Sequence, residues 1–204
     1  MAFSEGKIPE RATILSAGLL FAAAREASEE DSFGAYGPLI ALIFSAAAIE
    51  GFVNELIHDF ELQDVPNERT KALSVICSEI DERNASVGLK IQVIASGLQG
   101  KPFDPGAQPF QDFALLMRIR NLLMHMRPQV LELGDDSEPI EHESIVRALA
   151  GRGVITLSSS PPNWSTIGIL STPSVARWAY RTAVHIVEAF TKILPPGLEP
   201  LYPF

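Results

Sequence analysis

Residues 38–62 read PLIALIFSAAAIEGFVNELIHDFEL. Drawn as a helix, this stretch is apolar over most of its circumference, and Pro38 suits a first-turn position, where a missing N–H costs nothing. A helix that is oily all round has to be covered by other helices, so it is expected at the centre of an all-α bundle. Its most apolar part, Leu39 to Ile49, runs straight into Glu50, Asn54 and Glu55 and falls short of the roughly 20 apolar residues that a bilayer span needs. A buried core helix with no membrane association is the expectation.

Working outward, Ile14, Leu15, Leu19, Phe21 and Ala22 recur at helical spacing between Pro9 and Glu30, where the turn-rich DSFGAYGP begins. A third helical region covers about residues 68–98, with a break expected near Asn84 to Gly88. The Gly- and Pro-rich QGKPFDPGAQP reads as a loop, and FQDFALLMRIRNLLMHMRP as a fourth helix stopped by Pro128. Between Pro128 and Thr172 the texture changes. An acidic run, ELGDDSEPIEHE, precedes a short helix at about Ser144 to Ala150, and VITL and TIGIL flank SSSPPNWS in the manner of a small β-hairpin. A last helix starts at Pro173, and PPGLEPLYPF forms an extended tail. The expected architecture is a single domain over residues 1–204: an all-α bundle of four to six helices, with an irregular, hairpin-bearing insertion at about 128–172 and a tail at about 195–204.

The totals narrow the choice of function. A net charge of -9 and a hydrophobic share of 47% describe a chain that can bury a core but has no global basic field to draw it onto nucleic acid. Any RNA contact must be local. The lone cysteine, Cys77, allows no intrachain disulfide and no cysteine-built zinc site, and is read as a small buried hydrophobe. The opening MAFSEGKIPERATILSAGLL mixes acidic and basic residues before its apolar part and reads poorly as a signal peptide, so a cytoplasmic location is expected.

The fourth helix concentrates what chemistry there is. Among Phe113, Leu116, Met117, Leu122, Leu123, Met124 and Met126 it carries Arg118, Arg120, Asn121, His125 and Arg127. An imidazole can carry a proton, an amide can orient its neighbours, and a guanidinium can hold phosphate oxygens in a two-pronged grip. Those are the parts that metal-free RNA cleavage requires, because the 2'-OH of RNA supplies its own nucleophile. Competing chemistries have less support, since there is no HExxH, no GxSxG and no phosphate-binding glycine loop. His58, His142 and His185 lie in separate regions without ligand spacing, so neither a metal nor a cofactor is expected.

RNLLMH, residues 120–125, resembles the signature of the HEPN superfamily, an Arg and a His four to six residues apart with a polar residue straight after the Arg. FSAAAIEGFVNELI, residues 44–57, is similar to the second helix of such proteins, and a late helix with Trp178 and Tyr180 suits their closing helix. The resemblance leaves residues 128–172 unmatched. It implies an all-α homodimer whose motif helices line one cleft, metal-independent endoribonuclease activity, and use as a toxin or in phage defence, held in check by an antitoxin protein. Carried over, Arg120 would bind the scissile phosphate, Asn121 would orient its neighbours and His125 would act as acid or base.

On a helical wheel of about 100° per residue, Arg118, Asn121 and His125 share a face, while Arg120 lies roughly 140° from His125. Arg118, six intervening residues from His125, is therefore an alternative phosphate ligand, with Arg127 a further one. Glu50 and Asn54, one turn apart, either orient Arg120 or His125 from behind or form a polar pair that closes helix-to-helix hydrogen bonds. The motif itself has a plain alternative reading, a helix C-terminus whose cations complement the dipole. At the level of function the rival is a noncatalytic helical module for dimerisation or for binding a nucleotide or partner.

Overall fold

The computed structural model describes residues 16–29, 34, 36–62, 68–125, 143–156 and 166–196. Among these are eight helices and no strand: α1 Ala17–Glu29, α2 Gly37–Leu62, α3 Glu68–Glu82, α4 Val87–Gln99, α5 Phe110–Met124, α6 Glu143–Gly151, α7 Thr166–Leu170 and α8 Pro173–Thr191. The all-α class is as expected, with more helices than the four to six anticipated. The third region divides in two, and the stretch after Pro128 contributes α6 and α7.

α2 is the hub. Its Leu42, Ala46, Ile49, Phe52, Val53, Leu56, Ile57 and Phe60 are buried, and α1, α3, α4, α5 and α8 all pack against it. By length and composition Gly37–Phe60 could cross a membrane, and 56% of its most apolar window is buried inside the protein. The apolar run is thus longer than Leu39–Ile49, and five neighbouring helices account for much of it. The tightest partner is α1, which lays Ala17, Phe21, Ala24 and Ala27 inward. Small residues allow this approach, with Ala17 sitting 3.4 Å from the point where a Cβ on Gly51 would be.

Local chemistry explains the ends of the helices. α3 closes with Ala85 N–H on Ile80 O and Asn84 N–H on Asp81 O, a Schellman arrangement with Asn84 in the left-handed region at φ 54. Ser86 then starts α4 by accepting the Leu89 N–H through its side chain. The same closure ends α6, where Val154 N–H reaches Leu149 O and Gly153 takes φ 67. That corrects the expected hairpin. Val154 is spent on finishing a helix, Thr166–Leu170 is helical with Ile169 and Leu170 buried, and residues 157–165 lie outside those described.

The loop between α4 and α5 is pinned by aromatic packing. Phe103 stacks on Phe110 with ring centroids 4.3 Å apart and meets Phe190 edge-on at 5.3 Å. Phe190 in turn meets Phe52 at 5.7 Å, so one cluster joins the loop, α5, α8 and α2. Cys77 is fully buried, as anticipated.

α3 lies so close to α4 that a Cβ on Gly97 would fall 2.4 Å from Leu73 Cδ1. Leu73 is itself buried and has little room to turn. Gly97→Ala should therefore lower stability by about 1–2 kcal/mol, overpacking outweighing the roughly 1 kcal/mol of helix propensity gained. Urea unfolding checks this, and a stabilised variant would show that the contact yields easily. Burial raises the pKa of Asp59, with the neighbouring His58 opposing the shift. The native state then holds this proton to higher pH than the unfolded chain, so stability from this group falls as pH rises above about 4. Asp59→Asn should remove that decline, as thermal unfolding at a series of pH values between acid and neutral would read.

Candidate functional site at the end of α5

α5 buries Phe110, Phe113, Leu115, Leu116 and Ile119. This leaves Arg118, Asn121 and His125 exposed along one edge of the helix and its end. They rise through about 10 Å of helix, at about 1.5 Å per residue. The helix stops at His125, whose backbone N–H is shared between Asn121 O and Leu122 O at 3.1 and 3.3 Å. Arg127 lies outside the described residues.

Arg120 takes a different direction, as the helical wheel requires. Its guanidinium lies toward α2, with Nη2 at 3.6 Å from Glu50 Oε2, and Nη1 donates to Asn121 Oδ1 at 3.0 Å. The ion pair is partly open to solvent, the two side chains being 33% and 40% exposed. Glu50 and Asn121 thus both hold Arg120, and no other described residue is bonded to its planar fork. The imidazole of His125 has no hydrogen bond or ion pair with another described residue, and nothing joins it to Arg120 within the chain.

The remaining candidates separate. Arg118 donates from Nη2 to Ser144 Oγ at the start of α6, so the alternative phosphate ligand is tied to a neighbouring helix. Asn54 lies one turn from Glu50 but serves another contact, accepting from Lys90 Nζ at 3.0 Å. Lys90 also pairs with Asp81, and its side chain is only 7% exposed. The expected pair is therefore split, Glu50 supporting the motif arginine and Asn54 closing a bond between α2 and α4. Sequence reading passed over Lys90, although a single charged residue within VGLKIQVIASGLQ was a signal for a buried cation with partners elsewhere.

A second pair of contacts sets α6 against α5. Arg152 donates to the Asp112 carboxylate in the first turn of α5, and both side chains are largely buried. With Arg118 on Ser144, each end of α6 is fastened to α5 by an arginine. An open depression lined by Ser74, Val75, Ser78, Glu79 and Glu82 belongs to α3 alone and includes none of the motif residues. Among the described residues no group of His, Cys, Asp and Glu is placed to hold a metal ion. Chemically, the end of α5 can offer a solvent-facing imidazole, an amide, and a guanidinium held in place by a carboxylate.

Comparison of the chain with protein-family models, with curated proteins and with solved structures finds no match. What the site can do is therefore argued from its own side chains.

Glu50→Gln tests how firmly Arg120 is held. A partly exposed pair is screened by water, so stability should change by less than about 1 kcal/mol, read from the urea midpoint. A loss several times larger would mean that the pair bears on the core.

Proposed function

We propose that this chain is a metal-independent endoribonuclease of HEPN type, acting as a homodimer in which the ends of two α5 helices face one cleft. The observation that carries the reading is the solvent-exposed His125 one turn beyond Asn121, with Asn121 bonded to Arg120 and Arg120 paired with Glu50. In this reaction the 2'-OH oxygen attacks the adjacent phosphorus and gives its proton to an imidazole. The bond from phosphorus to the 5'-oxygen breaks, and that oxygen takes a proton from a second acid. Each chain supplies one His125, so a pair of copies supplies both the base and the acid. Arg120 and Asn121 would bear on the phosphate, with Arg118 or Arg127 as additional ligands once Arg118 leaves Ser144. No cofactor is needed. A toxin or phage-defence role in the cytoplasm, restrained by an antitoxin protein, follows from the resemblance of RNLLMH alone.

A second reading has a specific observation in its favour. Arg120 is already occupied, by Glu50 and by Asn121, which suits a helical module that dimerises or binds a nucleotide or protein partner without catalysis. RNA cleavage decides between them. On the nuclease reading, cleavage persists in EDTA, leaves a 2',3'-cyclic phosphate, and falls by about 100-fold or more in His125→Ala and in Arg120→Ala with the fold intact by circular dichroism. Cleavage retained in both variants would refute the assignment of Arg120 and His125, and no cleavage by the parent protein as a dimer leaves the noncatalytic module.

A further inference from the structure

The outer face of α8 carries a pattern that the proposed cleavage chemistry does not use. Arg177, Arg181 and His185 follow one another at intervals of four residues, and Lys192 caps the helix. All four are exposed, while Val175, Ala176, Trp178, Ala179, Thr182, Ala183, Ile186, Val187 and Phe190 take the opposite face into the core. Glu188 is the one carboxylate within the stripe. At about 1.5 Å per residue the first three stand about 6 Å apart and Lys192 about 10 Å further on, over about 22 Å in all.

Among the described residues some cations are paired with carboxylates, and others, Arg25, Lys71, Lys101 and Arg118 among them, are not. Arg83 pairs with Glu79, Arg120 with Glu50, Arg147 with Glu143 and Arg152 with Asp112. Arg177, Arg181 and Lys192 have no carboxylate within ion-pair distance among the described residues. In a chain of net charge -9, the outer face of α8 sets three permanent cations, Arg177, Arg181 and Lys192, against the single carboxylate of Glu188. A face on which cations outnumber carboxylates complements a row of negative charges.

We propose that the outer face of α8 is a docking ridge for the phosphate backbone of single-stranded RNA, separate from the residues at the end of α5. The choice of RNA as occupant rests on the nuclease reading; the charge pattern does not. Such a ridge contributes affinity without reading sequence, because its contacts go to phosphates rather than to base edges.

The test is fluorescence anisotropy with a fluorescein-labelled, 2'-O-methylated single-stranded RNA of about 15 nucleotides, which cannot be cleaved, over a series of salt concentrations. The parent protein should bind it. Arg177→Ala/Arg181→Ala should weaken binding about tenfold at low salt and flatten the plot of log affinity against log salt by about 1.4, two phosphate contacts at about 0.7 each. Arg177→Lys/Arg181→Lys should keep most of the affinity and slope. Unchanged affinity and slope in the alanine variant would overturn the proposal, as would absence of binding by the parent protein. Displacement of the RNA by polyglutamate at matching charge concentration, with the same dependence on Arg177 and Arg181, would overturn it in favour of an acidic protein partner. Binding that depends on Arg177 and Arg181 when ordinary RNA of the same sequence is left uncut would sustain the ridge and sink the nuclease reading.

Discussion

Everything in this fold answers to the need to keep water off α2. A helix with Leu42, Ile49, Phe52, Val53, Leu56, Ile57 and Phe60 turned inward on several sides cannot sit on a surface. Each large apolar side chain removed from water contributes about 1.5–3 kcal/mol, a gain that requires neighbours all round. Five helices supply them. Three of its polar residues each make a tie to a different neighbour. Glu50 reaches Arg120 on α5, Asn54 reaches Lys90 on α4, and Glu55 accepts the Ala17 N–H of α1 at 2.8 Å. One turn and a half of α2 therefore sets the positions of three surrounding helices.

The site inherits its geometry from that arrangement. Burial of Phe113, Leu116 and Ile119 fixes the roll of α5, and the roll decides which polar groups meet solvent and which meet α2. Arg120 is turned to Glu50 because it lies on the flank of the buried face, one residue from Ile119. His125 is free to meet solvent because the helix ends there. α6, strapped along α5 by Arg118 and Arg152, adds a further restraint on the same helix. Arg120 and Asn121 thus stand on a helix whose roll is fixed by packing, with His125 at its end.

Much of this was legible beforehand. The extent of α2, the loop at 99–109 and the break at Asn84 all follow from local rules: apolar coverage, Gly and Pro content, and a left-handed cap. The divergent directions of Arg120 and His125 follow from helical period alone. Other features depend on contacts across the fold and could not be read locally. TIGIL is as β-branched as a strand, yet burial of the adjacent Ile169 and Leu170 makes it a helical turn. Asn54 looks like a partner for Glu50 by spacing, but Lys90, 36 residues away in sequence, claims it. Ser144 gave no signal of being a partner for Arg118, because hydroxyls at helix starts are common.

The bond from Ala17 to Glu55 bears on the order of events during synthesis. α1 is 13 residues long, about the length at which an isolated helix is marginal in water, and its first N–H is satisfied by a carboxylate from α2. Gly51 presses against the same alanine. α1 therefore gains a stable shape only with chain made some forty residues later. A nascent chain halted before Glu55 would emerge with its opening helix unanchored and its apolar stripe open to chaperones.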